Sequence, residues 1–283
     1  MKHVPRFSAL VLGSVFALVL AQAWTSQAQA PPEATSVALT PDEMRVFLAE
    51  ARIVKTRRNG KGVTASQIAT LSDGRVTHEA QVQTVDVARA FFQAGGRTEV
   101  NFRDSYKYNI AGYELARLLG MDNVPMSVER RVQGAIGAVT WWLDDVLMDE
   151  KERIKKNVRV PDQVRRGQQV QIMRVFDQLI QNVDRNQGNL VWDRSWKLWL
   201  VDHTQAFRLG KELTKLDDLA SCDRSLFDAL RRLTAEALKG AVGNSLTGPE
   251  IEAVMARRDL LVEHFDAQIA KRGEAAVLFA LAR

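Results

Sequence analysis

Asp184, Asn189 and Asp202 fall within one short stretch, "FDQLIQNVDRNQGNLVWDRSWKLWLVDH", residues 176–203. A helix-like apolar run precedes them, and two Trp-rich strand-like runs lie around Asp193-Arg194-Ser195. In a plain hairpin such residues would do no more than cap the loop and the helix end. Carboxylate and amide oxygens are also the hard ligands that Mg²⁺ prefers, often completed by the phosphates of a nucleotide. Asn189 and Asp202 are the expected ligands of Mg²⁺ or Mn²⁺. Asp184, five residues before Asn189, is the expected general base, since a base must come within hydrogen-bond reach of the proton it removes. Arg185 and His203 are accessory positions, and His203 is expected to order the loop behind Asp202. A lone histidine is more often a hydrogen-bonded structural residue.

The elements that must carry these groups follow from the pattern. Thr40-Pro41-Asp42-Glu43 opens a helix that runs to about Ala51, with Thr40 as cap, Pro41 in the first turn and acids at the positive dipole end. "RIVKTRR", "SQIATLSD" and "RVTHEAQVQTV" read as three antiparallel strands, separated by "NGKG" and by Asp73-Gly74. "SYKYNIAGYELARLLG" returns to a helical period over 105–120, stopped by Gly120. "MSVERRV" and "GAVTWWL" are two further strands joined at Gln133-Gly134. From "QQVQIMRVFDQLIQNV" onward the pattern is mostly helical. The fold class is therefore α+β: an antiparallel sheet-bearing half with one helix inserted after its third strand, then a helical half, with a cleft between them.

The stretch resembles the atypical kinases: type II phosphatidylinositol 4-kinases, HipA-like kinases and the secretory-pathway Golgi casein kinase group. "NVDRNQGNLVW" is similar to the lipid-kinase catalytic loop and "VDHTQAF" to its metal-binding segment. "YNIAGYELARLLGMDNVPMSVERRV" is similar to the inserted helix and the strand after it. The resemblance implies a two-lobed protein-kinase-like fold, with an N-lobe over 41–145 and a C-lobe over 146–283 holding a catalytic loop at 182–203. It also implies Mg²⁺ (or Mn²⁺) and ATP as co-substrate. Gly60, Lys61 and Gly62 of the first turn would cradle phosphate through backbone N–H groups, although "NGKG" is equally a tight hairpin turn. Trp142 or Leu143 would line an adenine pocket.

Two positions depart from that pattern. Kinase folds pair a lysine on the third strand with a glutamate in the inserted helix, and both contact or orient the nucleotide phosphates. Here Gln83 and Asn109 stand at those positions. Losing both charges together is physically coherent, because a lone buried charge is costly. Gln83 and Asn109 could hydrogen-bond each other and keep the helix docked. A shift of the alignment would make Glu114 the helix acid instead. A neutral amide cannot offset phosphate charge, so Lys61, Arg103 or Lys107 would have to do so, or transfer is weak or absent.

Composition narrows the setting. The 283 residues are 46% hydrophobic, enough for one large domain or two lobes. Lys2 and Arg6, the run "FSALVLGSVFALVL" and small residues at A-x-A spacing read as a signal peptide over 1–28, followed by a Pro/Ala/Ser/Thr linker over 29–40. Loss of that segment lowers the formal charge from +5 to about +3, too little and too scattered to favour nucleic acid. The expected location is exported, periplasmic or extracellular, with membrane contact only if the segment is retained. Cys222 is the single cysteine, so no intramolecular disulfide and no thiolate metal cluster exist; it reads as a small buried apolar residue. His78 and His264 lack companions at ligand spacing, and the tryptophans read as core and hinge. The basic run Lys151, Arg153, Lys155, Lys156, Arg159, Arg165 and Arg166 is a solvated face or, alternatively, a surface for an acidic substrate. Nothing resembles a Ser-His-Asp hydrolase or a zinc enzyme. The expected function is an exported, metal- and ATP-dependent phosphotransferase with an unknown acceptor, whether protein, lipid or small molecule. The alternative is an exported pseudokinase that binds nucleotide or a protein partner.

Overall fold

Thr40 caps the first helix as its sequence requires: its hydroxyl accepts from the Glu43 amide at 3.3 Å, and the Glu43 carboxylate accepts from the Thr40 amide at 2.9 Å. This capping box starts α1 (Pro41–Glu50), in a computed structural model that describes residues 39–60, 66–94 and 97–281. The expected signal segment, most of the linker, and Lys61 and Gly62 lie outside the described residues. Arg130 closes the other end of α1, donating to the Leu48 and Ala51 carbonyls at 3.1 and 2.7 Å.

β1 (Arg52–Arg58), β2 (Gln67–Ser72) and β3 (Thr77–Gln83) form the expected antiparallel series. Two strands that the sequence reading leaves out then follow, β4 (Asp86–Ala94) and β5 (Arg97–Ser105), paired with each other as a separate ribbon. The inserted helix, α2 (Lys107–Leu118), consequently follows the fifth strand, not the third. Asn101, left-handed at φ 55°, interrupts the period-two alternation of the ribbon, and Phe91 and Val100 stay exposed on it. Neither feature gives the clean apolar–polar pattern that marks a half-buried strand.

β6 (Ser127–Val132) and β7 (Ala135–Trp141) complete a five-stranded sheet in the order β1-β2-β3-β7-β6. Gln133 and Gly134, at φ 50° and 91°, make the left-handed pair that a two-residue hairpin needs. Phe47, Leu48, Ala69, Leu71, Ala80, Val82, Val128 and Val139 form the core between α1 and the sheet.

The helical half begins with β8 (Val146–Asp149), α3 (Glu150–Lys155) and α4 (Gln163–Ile180). β9 (Leu190–Asp193) and β10 (Leu198–Leu200) are the expected Trp-rich hairpin, and β8 joins them as an unanticipated third strand. β11 (Cys222–Asp223), α5 (Arg224–Arg232), α6 (Ala235–Val242), α7 (Gly248–Arg272), α8 (Glu274–Val277) and β12 (Leu278–Phe279) follow. The helical core gathers Leu115, Val175, Phe176, Leu179, Trp192, Leu226 and Phe265, each fully enclosed and each contributing about 1.5–3 kcal/mol by its burial. Cys222 lies inside it, and burial pushes its thiol far above the usual range. Among the described residues no helix is long and apolar enough to cross a membrane.

Glu150 anchors the start of α3. It accepts from Trp192 Nε1 at 2.7 Å and from Arg153 Nε and Nη2 at 2.6 and 2.8 Å. Burial raises its carboxyl, but the bonds from Arg153 and Trp192 outweigh that and hold it below the usual carboxylate range. A carboxyl lowered by folding stabilises above its unfolded value of about 4.3, and that contribution disappears as pH falls through the lower folded value. Glu150→Ala is expected to cost about 3 kcal/mol at neutral pH, because it strands Arg153 and the indole N–H. Denaturant titrations at pH 7 and pH 3 check this: the gap between variant and wild type should shrink in acid. The rest of the basic run is partly engaged as well, Arg166 lying 3.6 Å from Glu150 and Lys156 lying 2.6 Å from Glu152.

Candidate active site

Asp184 sits just past the end of α4, where Gln181 turns left-handed at φ 45° and stops the helix. Its amide donates to Asn182 Oδ1 at 3.1 Å, while its carbonyl accepts from Asn189 Nδ2 at 3.2 Å. The amide nitrogen of Asn189 is thereby spent on the loop, and its oxygen has no hydrogen bond among the described residues. Asn189 also holds the third segment, because its carbonyl accepts from the Val201 amide at 3.1 Å. Asp202 follows at once in a left-handed conformation, φ 56°, which costs a non-glycine residue about 1 kcal/mol and persists only where neighbours enforce it. Thr204 donates its hydroxyl to Asp202 Oδ1 at 3.1 Å.

Asp184 and Asp202 are close enough to act on each other. The Asp184 carboxyl is raised above the usual range, first by desolvation and then by the charges of Asp202 and Asp104. Asp104, at the end of β5, is a residue the sequence reading missed. Its carboxyl is likewise raised by burial and by Asp202, with Thr204 and Arg208 opposing, and its Oδ1 is buried without a hydrogen-bond partner. The Ser105 amide donates to the Thr204 carbonyl at 2.8 Å, so the base of the ribbon is stitched to the segment that carries Asp202. The available signal was its position immediately before the inserted helix.

Arg185 fastens the arrangement. Its guanidinium meets Asp177 of α4 at 2.9 Å, the Asn189 carbonyl at 3.0 Å, the Val201 carbonyl at 2.8 Å and His203 Nε2 at 3.1 Å. Burial, and then Arg185, drives His203 well below its usual pKa, so the ring is neutral and its Nε2 accepts. The His203 ring thereby ties Arg185 to the segment that carries Asp202. Asp177, the buried counter-ion, was read from the sequence only as part of a helix.

The nucleotide-side positions divide. Gln83, at the end of β3, and Asn109, in α2, do hydrogen-bond each other. Glu114 is not the inward acid: it points towards α1 and pairs with Arg45 at 2.6 Å and Arg117 at 3.0 Å. Trp142 and Leu143 lie just after β7 in the connection to the helical half, and the Trp142 amide donates to the Glu79 carbonyl at 3.2 Å. Gly60 is the last described residue after β1. Lys107 is 3.0 Å from Asp86 and so is engaged by the ribbon. Arg103 is exposed on β5 beside Asp104.

The donors suit a hard divalent cation. Asp202 and the Asn189 amide oxygen offer oxygen ligands, and the mutual repulsion of Asp104, Asp184 and Asp202 would be relieved by positive charge. Among the described residues no three Asp, Glu, His or Cys groups form a metal-holding cluster. Mg²⁺ usually takes one or two carboxylates and completes its shell with water and phosphate oxygens.

No family profile matches the chain, and no curated protein matches it. Solved structures do. A Fam20 protein of hydra, in a structure with sugar, is similar over 84% of this chain and 92% of its own, at 15% identity and a TM-score of 0.66. A Golgi casein kinase with Mn/ADP bound is similar over 84% of this chain and 78% of its own, at 15% identity and a TM-score of 0.64. A second structure of the Golgi casein kinase gives 0.63 over the same spans. Identity at this level speaks to fold alone, and the fold is kinase-like, with an antiparallel N-lobe and a helical C-lobe.

Proposed function

We propose that this chain is an exported phosphotransferase that uses ATP with Mg²⁺ or Mn²⁺, with Asp184 as base and Asn189 and Asp202 as cation ligands. The observation that carries the reading is the convergence of Asp184 and Asp202, on two loops stitched through Asn189, within a kinase-like fold. When bound, the cation would offset the charge on the nucleotide phosphates. The chain's own part is to hold Asp202 in its left-handed turn, to present the Asn189 oxygen, and to keep Asp184 exposed, ready to take the proton of an acceptor hydroxyl. The Golgi casein kinase neighbour carries Mn/ADP, which supports the choice of cofactors.

A second reading has its own observation. Gln83 and Asn109 bond to each other where kinase folds carry an ion pair. This favours a protein that binds nucleotide and cation without transferring phosphate. A thermal-shift titration with Mn²⁺ and ATP tests what the two readings share: both expect stabilisation that Asp202→Ala removes. A wild-type protein that ATP and Mn²⁺ leave unmoved contradicts both. Labelled phosphate passed from ATP to any acceptor, and lost in Asp184→Ala, then separates the enzyme from the binding protein.

A further inference from the structure

Gln83, Asn109 and His203 are 4%, 6% and 2% exposed, too enclosed for direct work on a ligand in the cleft. Their hydrogen bonds form one line. The His203 amide donates to Asn109 Oδ1 at 2.8 Å, and Asn109 Nδ2 donates to Gln83 Oε1. Donor inventory fixes the order: a peptide N–H can only donate, so Asn109 must turn its oxygen to His203 and its nitrogen to Gln83. The peptide held in this way is the one that follows Asp202, whose φ of 56° depends on enforcement from its surroundings. The His203 ring supplies a second hold. It lies against Gly112 of α2, where an added Cβ would stand 3.2 Å from the ring, and it meets Arg185 at 3.1 Å.

We infer that Asn109, backed by Gln83, is a positioning residue for the cation site: a neutral amide relay that runs from β3 through α2 to the peptide after Asp202 and fixes where that carboxylate points. The inference rests on the cation role given to Asp202 above. It reassigns Gln83 and Asn109 from contacts with the nucleotide to control of its cation. Both amides are buried and uncharged, so the relay avoids the desolvation that a buried ion pair must overcome. It leaves the sheet half coupled to the catalytic half through neutral groups that salt does not screen. It also supplies no positive charge to phosphate, so that demand falls on the cation Asp202 would bind.

The test measures Mn²⁺ binding to the purified protein without nucleotide, by the electron paramagnetic resonance of free Mn²⁺, alongside circular dichroism as a check of folding. Wild type is expected to show a site that Asp202→Ala removes. Asn109→Ala should remain folded and weaken Mn²⁺ about tenfold, the effect of one lost hydrogen bond of typical strength. If Asn109→Ala fails to fold, Gln83→Leu takes its place, with a several-fold weakening expected. A purely structural role would lower the melting temperature of these variants and leave the Mn²⁺ affinity alone. An unchanged affinity in folded Asn109→Ala or Gln83→Leu overturns the relay while Asp202 keeps its role. A wild-type protein whose Mn²⁺ binding Asp202→Ala does not alter overturns the cation reading itself, and the relay with it.

Discussion

Arg185→Ala is expected to lower the unfolding free energy by about 3–5 kcal/mol, enough to threaten the fold of a protein of ordinary stability. The Arg185 and Asp177 side chains are 9% and 10% exposed, and the arginine's fork spans both carboxylate oxygens, two carbonyls and the His203 ring. Removing it leaves a buried carboxylate without a counter-charge and takes the donor from the Val201 carbonyl and from His203 Nε2, which costs far more than an exposed ion pair returns. Arg185→Lys should recover only a fraction, because an ammonium cannot reproduce the planar fork. Chemical denaturation of the three proteins measures the effect, and a loss below about 1 kcal/mol for Arg185→Ala would show that the network is not held as described. The residue beside the proposed base is therefore the one that joins α4, the Asn189 loop and the Asp202 segment.

The second large effect concerns Asp184. If the chain transfers phosphate, Asp184→Ala should lower kcat by about 10²–10⁴ while nucleotide affinity stays near that of wild type, since general-base help is a property of the transition state. The pH dependence follows from burial and the neighbouring charges of Asp202 and Asp104, which raise the Asp184 carboxyl. A raised base takes up its proton sooner on acidification, so the wild-type rate should fall off at a pH above the ordinary aspartate value of about 3.9. Asp104→Asn removes one of the charges responsible, and should move that fall to lower pH. Rate profiles of the two proteins at saturating nucleotide check the direction; a shift the other way contradicts the electrostatic description.

What could be read from the sequence follows from where the physical signal is local. Asp184, Asn189 and Asp202 lie within nineteen positions, and their order along helix, loop and hairpin is enough to pick them out. The Gln83–Asn109 bond was legible too, because both ends sit at positions that the kinase resemblance singles out. Asp104 and Asp177 were not. Each is one polar residue in an element, and what marks them, a buried orphan oxygen and a buried counter-ion, exists only after the chain has folded. The ribbon of β4 and β5 escaped for a different reason: it packs few side chains, exposes Phe91 and Val100, and so lacks the alternation by which a strand is recognised. β8 escaped because four residues carry little periodicity of their own and gain strand character only by pairing with β9.

The central claim is that one divalent cation site lies between the Asp202 carboxylate and the Asn189 amide oxygen. Crystals grown with Mn²⁺ and a non-hydrolysable ATP analogue, with data collected at a wavelength where manganese scatters anomalously, test it most directly. The expected result is an anomalous peak within ligating distance of both side chains, with analogue phosphates completing the shell. Manganese bound elsewhere, or bound analogue with no peak at that position, would contradict it.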